Sequence, residues 1–259
     1  MNIKIFKNKA LKVLIIFLLA ASLFVLLISC GEQNGEVPYA ANGSRENSKD
    51  NYGKDGDGTM NNIKGEEIML PQPKLESDVS LEETLSNRRS VRSFSSKELS
   101  LDQISQILWA AQGITRESTG YRTSPSAGAL YPLEIFLLKS DGLFRYIPDG
   151  HKILKLSPDD LRLDLIPGVL FQEFIAEAPV NIIITAVYER TTAKYGDRGI
   201  QYVHMEAGHS CQNILLQATA LGLGAVPVGA FNDSYIQDLL NLPGDYVPLY
   251  VVPVGYPKE

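Results

Sequence analysis

From about Gly199 to Leu223 apolar residues return at helical spacing. Val203, Ala207, Cys211, Ile214, Leu215, Ala218 and Leu221 recur over roughly six turns, with polar residues confined to single positions between them. A helix of that kind is expected to be buried on most sides, so the chain must supply a sheet and further helices to cover it. Composition agrees: 44% of the 259 residues are hydrophobic and only two are cysteine, which excludes a wholly disordered chain, a collagen and a disulfide-stapled miniprotein.

The covering elements can be read around that helix. Ser80-Leu81-Glu82-Glu83 and Ser100-Leu101-Asp102-Gln103 have the form of capping boxes, the second followed by Ile104, Ile107, Leu108 and Ala111 on one face and by Gly113 as a stop. Leu133 to Leu138, Leu143 to Ile147 and His151 to Leu156 are strand-like runs separated by Asp141-Gly142 and Asp149-Gly150 turns, an antiparallel meander. Val180 to Val187 is β-branched and continuously apolar, the mark of a central strand covered on both faces. A short helix from Ser234 to Leu240 and a strand from Val247 to Val254 complete the pattern. The expected fold class is α+β, in three layers, with a mixed or mainly antiparallel sheet flanked by helices.

The N-terminus reads as an address. Lys4, Lys7, Lys9 and Lys12 precede an apolar run from Val13 to Ile28, a secretory signal in form. That run is a few residues short of the roughly 20 a spanning helix needs. Its end, Leu27-Ile28-Ser29-Cys30, resembles a bacterial lipobox, which implies cleavage before Cys30, lipidation of that cysteine and an extracytoplasmic protein tied to a membrane through the lipid anchor. The alternative is a plain membrane anchor. Residues 1–29 are then the signal peptide, 30–74 a flexible polar tether rich in Gly, Asn, Ser and Asp, and 75–259 one domain. Beyond residue 29 there are 20 basic and 30 acidic side chains, a formal charge of −10, so no nucleic acid is expected as a partner. With Cys30 lipidated, Cys211 stands alone in an apolar helical stretch, where a small core residue is the simplest role.

Chemistry gathers in three segments. Arg88-Arg89-Ser90-Val91-Arg92 puts three guanidiniums within five residues just after a helix, suited to a phosphate or an electron-rich ring edge, or else a solvated basic turn. Ser124-Pro125-Ser126-Ala127-Gly128-Ala129-Leu130-Tyr131-Pro132 is a loop of small residues before a strand, open to a flat ligand. Gly222-Leu223-Gly224-Ala225-Val226-Pro227-Val228-Gly229-Ala230 is a second backbone-exposing stretch. Neither a dinucleotide fingerprint nor a P-loop is present. His204 and His209 are five apart, not the four of a helical zinc pair, and no metal site is expected; Glu206 and His209 fit core or dimer contacts. Tyr131 and Phe231 offer ring faces for substrate or for packing.

Taken in order and spacing, these three segments resemble the FMN-dependent nitroreductase superfamily, across residues 80 to 256. Gly128 to Glu134, the Tyr146 to Leu156 meander, and Lys194-Tyr195-Gly196-Asp197-Arg198-Gly199 leading to Glu206-Ala207-Gly208-His209 resemble its SagB-type branch, known for oxidising azolines to thiazoles or oxazoles. The resemblance implies a three-layer nitroreductase-like fold, an FMN cofactor and a homodimer. It implies that Arg88 and Ser90, with Arg89 beside them, hold the FMN phosphate and ribityl chain, and that Arg92 faces the pyrimidine edge of the flavin. Pro125, Ser126, Ala127 and Gly128 would line the cofactor, Gly229 and Ala230 would present backbone NH groups near flavin N5, and Lys258 would reach the phosphate. Lys194 and Tyr195 would correspond to the catalytic acid/base pair of azoline-oxidising relatives. The function so implied is hydride transfer at N5, with NAD(P)H-dependent nitroreduction and a non-catalytic tethered flavin carrier as alternatives.

Overall fold

The computed structural model describes residues 65–258; the signal segment, Cys30 and most of the expected tether lie outside the described residues. In chain order, β1 (Glu67–Met69) precedes α1 (Leu81–Asn87) and α2 (Leu101–Gln112). A small ribbon of β2 (Ile114–Arg116) and β3 (Tyr121–Arg122) and a tight turn at Ala127–Ala129 lead to β4 (Leu133–Lys139), β5 (Gly142–Ile147) and β6 (Lys152–Ser157). Then come α3 (Phe174–Glu177), β7 (Val180–Val187), α4 (Glu189–Tyr195), α5 (Arg198–Ala220), β8 (Gly224–Ala225), α6 (Asp233–Leu239) and β9 (Tyr246–Gly255).

Local chemistry starts the helices where the sequence signals them. The Ser80 hydroxyl accepts from the Glu83 amide, and Ser100 and Gln103 close a reciprocal box in which each side chain accepts from the other's backbone NH. The strands form one seven-stranded sheet in the order β1-β6-β5-β4-β7-β9-β8, and every pairing in it is antiparallel. β7 is buried at all eight positions. Ile182, Ile184 and Ala186 join the core formed with α2 and α5, while Ile183 and Val187 join a second core under α3 and α6. The sheet is therefore the middle layer of three, and each fully buried isoleucine of β7 contributes about 1.5–3 kcal/mol relative to exposure.

Two expectations are corrected. Residues 65–74 are folded rather than tether: Ile68 pairs with Ile153 across β1 and β6, and Leu70 is buried in the first core. Ile68, Met69 and Leu70 give just enough apolar surface to extend the sheet by an edge strand. The long helix is also buried along one stripe, not most of its circumference. Val203, Ala207, Cys211, Ile214, Leu215 and Ala218 face the sheet, whereas Ile200, His204, Met205, His209 and Gln212 are exposed. The single polar positions between the apolar ones accumulate on the opposite side of the helix. Cys211 is a core residue whose thiol burial pushes up to about 12, so it is inert as a nucleophile at neutral pH.

Candidate functional site

The arginine segment leaves α1 and is laid between β8 and the C-terminal tail. Ser90 bridges Ala225, the Val91 amide donates to the Ala225 carbonyl, Phe94 bridges Pro257, and the Lys258 amide donates to the Ser93 carbonyl. Phe94 is buried and pins the segment down. This double pairing holds Ser90, Arg92 and Lys258, all exposed, with the half-buried Arg88 at one rim of the sheet. Arg89 is turned away: its Nη1 donates to the carbonyls of Ser86 and Arg88, at the end of its own helix. The close approach depends on Gly224, where a Cβ would stand 2.6–2.8 Å from three Val91 side-chain atoms. Gly224→Ala is accordingly expected to push the Val91–Arg92 backbone off β8 while the fold persists, measurable as a lower urea midpoint against unchanged far-UV circular dichroism.

A second set forms around the small-residue loop. The Ser124 hydroxyl donates to the Ala111 carbonyl and accepts from Asn213 on α5, and the Ser126 hydroxyl accepts from the Tyr131 amide. Gly128 at φ +63°, Ala129 at +53° and Tyr131 at +47° give the loop its tight course. For the two non-glycine residues such backbone costs about 1–3 kcal/mol each and must be held by its surroundings. Arg190 Nη1 donates to the Tyr131 carbonyl, and the Arg122 guanidinium lies 4.4 Å from the Tyr131 ring centre. Gly128 abuts the end of α4: a Cβ there would lie 2.8 Å from Tyr195 Oη and 3.0 Å from Lys194 Nζ. Lys194 and Gly128 are exposed, and the Tyr195 ring is set edge-on against Tyr202. The loop and the Lys-Tyr pair, nearly 70 residues apart in sequence, are thus brought into one site.

Behind this loop is a buried polar network that the sequence reading did not find. Glu206, almost wholly buried on α5, accepts from Gln112 Nε2 at 3.3 Å and from the Ser126 hydroxyl. Burial raises its carboxyl to about 7, against the opposing pull of those two hydrogen bonds and of Arg122. Glu134 at the start of β4 accepts from Arg145 Nε at 3.0 Å and Nη2 at 2.9 Å, and from Arg190 Nη2 at 2.7 Å. A sequence signal existed: Glu134 and Arg145 are opposite charges inside the apolar runs Leu133 to Leu138 and Leu143 to Ile147 of consecutive strands. Among the described residues no cluster of His, Cys, Asp and Glu has the makings of a metal site.

The two sets lie at opposite ends of the sheet. The arginine rim adjoins Ala225 and Gly255, at the Val180 end of β7, whereas the Gly128 loop leads into Leu133, paired with Ala186 at the other end. The seven steps between the eight residues of β7, at about 3.3 Å each, put roughly 23 Å between those ends. Gly229 and Ala230 follow Val228, which bridges Val251 part-way along the β9 edge, and both are exposed.

Residues 85–256 match the family model described as the nitroreductase family. A nitroreductase-like protein of Methanocaldococcus jannaschii is 47% identical over 197 residues, covering 74% of this chain and 98% of its own length. The microcin B17-processing protein of Escherichia coli is 26% identical over 158 residues, 56% of this chain and 57% of its own. Among solved structures, a nitroreductase-like protein from Ralstonia eutropha jmp134 superposes with a TM-score of 0.69 at 30% identity, covering 74% of this chain and 90% of that one. The α+β architecture with its antiparallel sheet is the one shared with the Ralstonia structure.

Proposed function

Because the chain belongs to the nitroreductase family and is by that an oxidoreductase, we propose that it is an FMN-dependent dehydrogenase of the SagB type, active as a homodimer. The observation that carries this reading is the meeting of Lys194 Nζ and Tyr195 Oη at Gly128, which puts a proton-transfer pair against a loop open to a flat ligand. FMN, when bound, supplies hydride acceptance. The donor set fits that group: Arg88, Ser90, Arg92 and Lys258 share one rim and suit a phosphate and an anionic ring edge. Ser126 contributes through the loop's shape more than through its hydroxyl, which the Tyr131 amide and Glu206 engage. The removal of a proton beside a heteroatom then falls to Lys194 and Tyr195, in the manner of azoline oxidation.

In one chain the arginine rim and the Gly128 loop lie by opposite ends of β7, a strand whose ends are roughly 23 Å apart. A single FMN touching both requires a second copy to bring its loop to the first copy's arginines. Exposed apolar side chains suit such a contact: Leu81 and Leu85 on α1 next to the arginine segment, Phe171 at 74% exposure, and Ile200 and Met205 on the outer side of α5. Cys30 lipidation would place this dimer at the outer side of a bacterial membrane. A second reading, NAD(P)H-dependent nitroreduction, draws on the likeness to the Methanocaldococcus protein and makes no use of the Lys-Tyr pair.

The test is direct. The purified full-length protein is expected to be yellow, with about one releasable FMN per chain, and to behave as a dimer by light scattering; a colourless protein that ignores added FMN sinks the reading. In the FMN-bound protein Arg92→Ala is expected to lower the flavin midpoint potential, because a charge-assisted hydrogen bond worth about 1.5–3 kcal/mol is lost chiefly from the reduced, anionic state. An unchanged potential places Arg92 away from the ring.

A further inference from the structure

A cavity of about 340 Å³ opens between the meander strands β4, β5 and β6, the end of α2 and β3, and none of the residues assigned above to cofactor or catalysis lines it. Its polar wall is Arg122, Gln112, Glu134 and Arg145, with Lys152 and Asp149 toward solvent. Its apolar wall includes Leu133, Ile135, Tyr146 and Leu154. The volume is that of a small-ligand site, and the lining divides into a charged end and an apolar body.

The six charged residues of the lining are three acids, Glu67, Glu134 and Asp149, and three bases, Arg122, Arg145 and Lys152, but their pairing is uneven. Glu134 is shared by Arg145 and Arg190, and Lys152 is paired with Glu67. Arg122 forms no ion pair among the described residues: its Nη1 donates to Gln112 Oε1 at 3.2 Å and its plane rests on Tyr131. Burial holds this guanidinium below the usual arginine range, against the attraction of Glu134 and Glu206. A half-buried cation without a carboxylate partner, next to a second guanidinium already saturating the shared carboxylate, is a site in want of an anion. We infer that this cavity binds a small monocarboxylate with a compact apolar body, the carboxylate on Arg122 and the body against Leu133, Ile135, Tyr146 and Leu154.

The site is tied to the loop. Arg122 lies against Tyr131, its own backbone NH donates to Tyr131 Oη, and Gln112 joins it to Glu206 and so to Ser126. Bound anion and ionised Glu206 compete for the field of one guanidinium, so each weakens the other. The groups facing Glu206 are Arg122 from β3, Gln112 from α2 and Ser126 from the loop. On the cavity side His151 stands behind Tyr146, bonded to its hydroxyl, and burial holds its imidazole below the ordinary range, on the neutral side. Glu206 is then the group that changes charge near neutrality.

The experiment uses full-length protein in detergent and isovalerate as probe, with isovaleramide as its neutral isostere, binding being followed by saturation-transfer NMR at constant ionic strength. Isovalerate is expected to bind saturably, more tightly than isovaleramide, and to lose about tenfold or more in Arg122→Gln but little in Arg122→Lys, which keeps the charge and guards against a folding defect. Affinity is expected to fall roughly fivefold between about pH 6 and pH 8, and Glu206→Gln to abolish that fall. Absence of saturable binding, equal affinity for the amide, or indifference to Arg122→Gln overturns the site; a pH-independent parent overturns its link to Glu206. Visible flavin absorbance on the same samples reports separately on the cofactor, since neither Arg122 nor Glu206 is assigned to it.

Discussion

Glu134→Ala should destabilise the folded domain by about 3–5 kcal/mol, the cost of removing one partner from a buried ion pair. Glu134 is the one carboxylate that Arg145 and Arg190 share, and the side chains of Glu134 and Arg145 are only 10% and 9% exposed. The substitution takes its carboxylate from the buried Arg145 guanidinium, and the loss of that charge pairing decides the sign. Arg190, at 35% exposure, can turn toward water, so Arg190→Ala should cost much less. The check is urea unfolding: a lower midpoint at unchanged m for Glu134→Ala and a small shift for Arg190→Ala. Comparable small shifts in both would mean that water reaches Arg145 easily.

That triad also shows what a sequence withholds. Arg145 stands opposite Phe136 across β4 and β5, so Glu134 is its diagonal neighbour two residues along. The pairing follows from register, and register follows from the turn at Asp141-Gly142, which the sequence signals; only Arg190, brought in by α4 after β7, could not be foreseen. Ser100 and Gln103 could be read outright because a capping box is local. The face of α5 was harder. Periodicity located its apolar stripe, but whether the far side is covered depends on what else packs there, and Gln201, His204, His209 and Gln212 mark it as open in one chain. The start of the domain was misjudged for a related reason: a three-residue edge strand carries too few residues to outweigh a polar flank in composition.

The candidate site divides in the same way. Each motif was legible because loops that approach ligands need small residues and phosphates need arginines. Their mutual placement was not, since it depends on the antiparallel run of β7 and β9 that carries one set to each end of the sheet. Glu206 was visible only as a polar residue on an apolar helix; that it lies beneath the Ser126 loop, with its carboxyl raised to about 7, required the fold.

Lys194→Ala and Tyr195→Phe should each slow oxidation of a substrate that gives up a proton and a hydride together by about 10²- to 10⁴-fold, the usual worth of positioned acid/base assistance. FMN content and visible spectrum should stay at parent values, because under the proposed reading the phosphate falls to the arginine segment, whereas Lys194 and Tyr195 belong to a different element, the end of α4. Both side chains reach Gly128 with their far ends, so their loss removes functional groups without opening the core. The pair also separates the two oxidoreductase readings. Reduction of a nitro compound by NAD(P)H has no substrate C–H proton to remove, so under that reading both variants keep the parent rate. If instead both lose FMN, the end of α4 serves as a cover over the cofactor. Gly128→Ala refines the distinction: its Cβ would press on Tyr195 Oη and Lys194 Nζ, both far side-chain ends that can shift by a few tenths of an ångström, and at φ +63° it adds about 1–3 kcal/mol of backbone strain, read separately by urea unfolding. Displacing the pair by that little should slow substrate oxidation less than deleting either member, and an intermediate rate with full FMN content would tie turnover to the position of the pair at the loop.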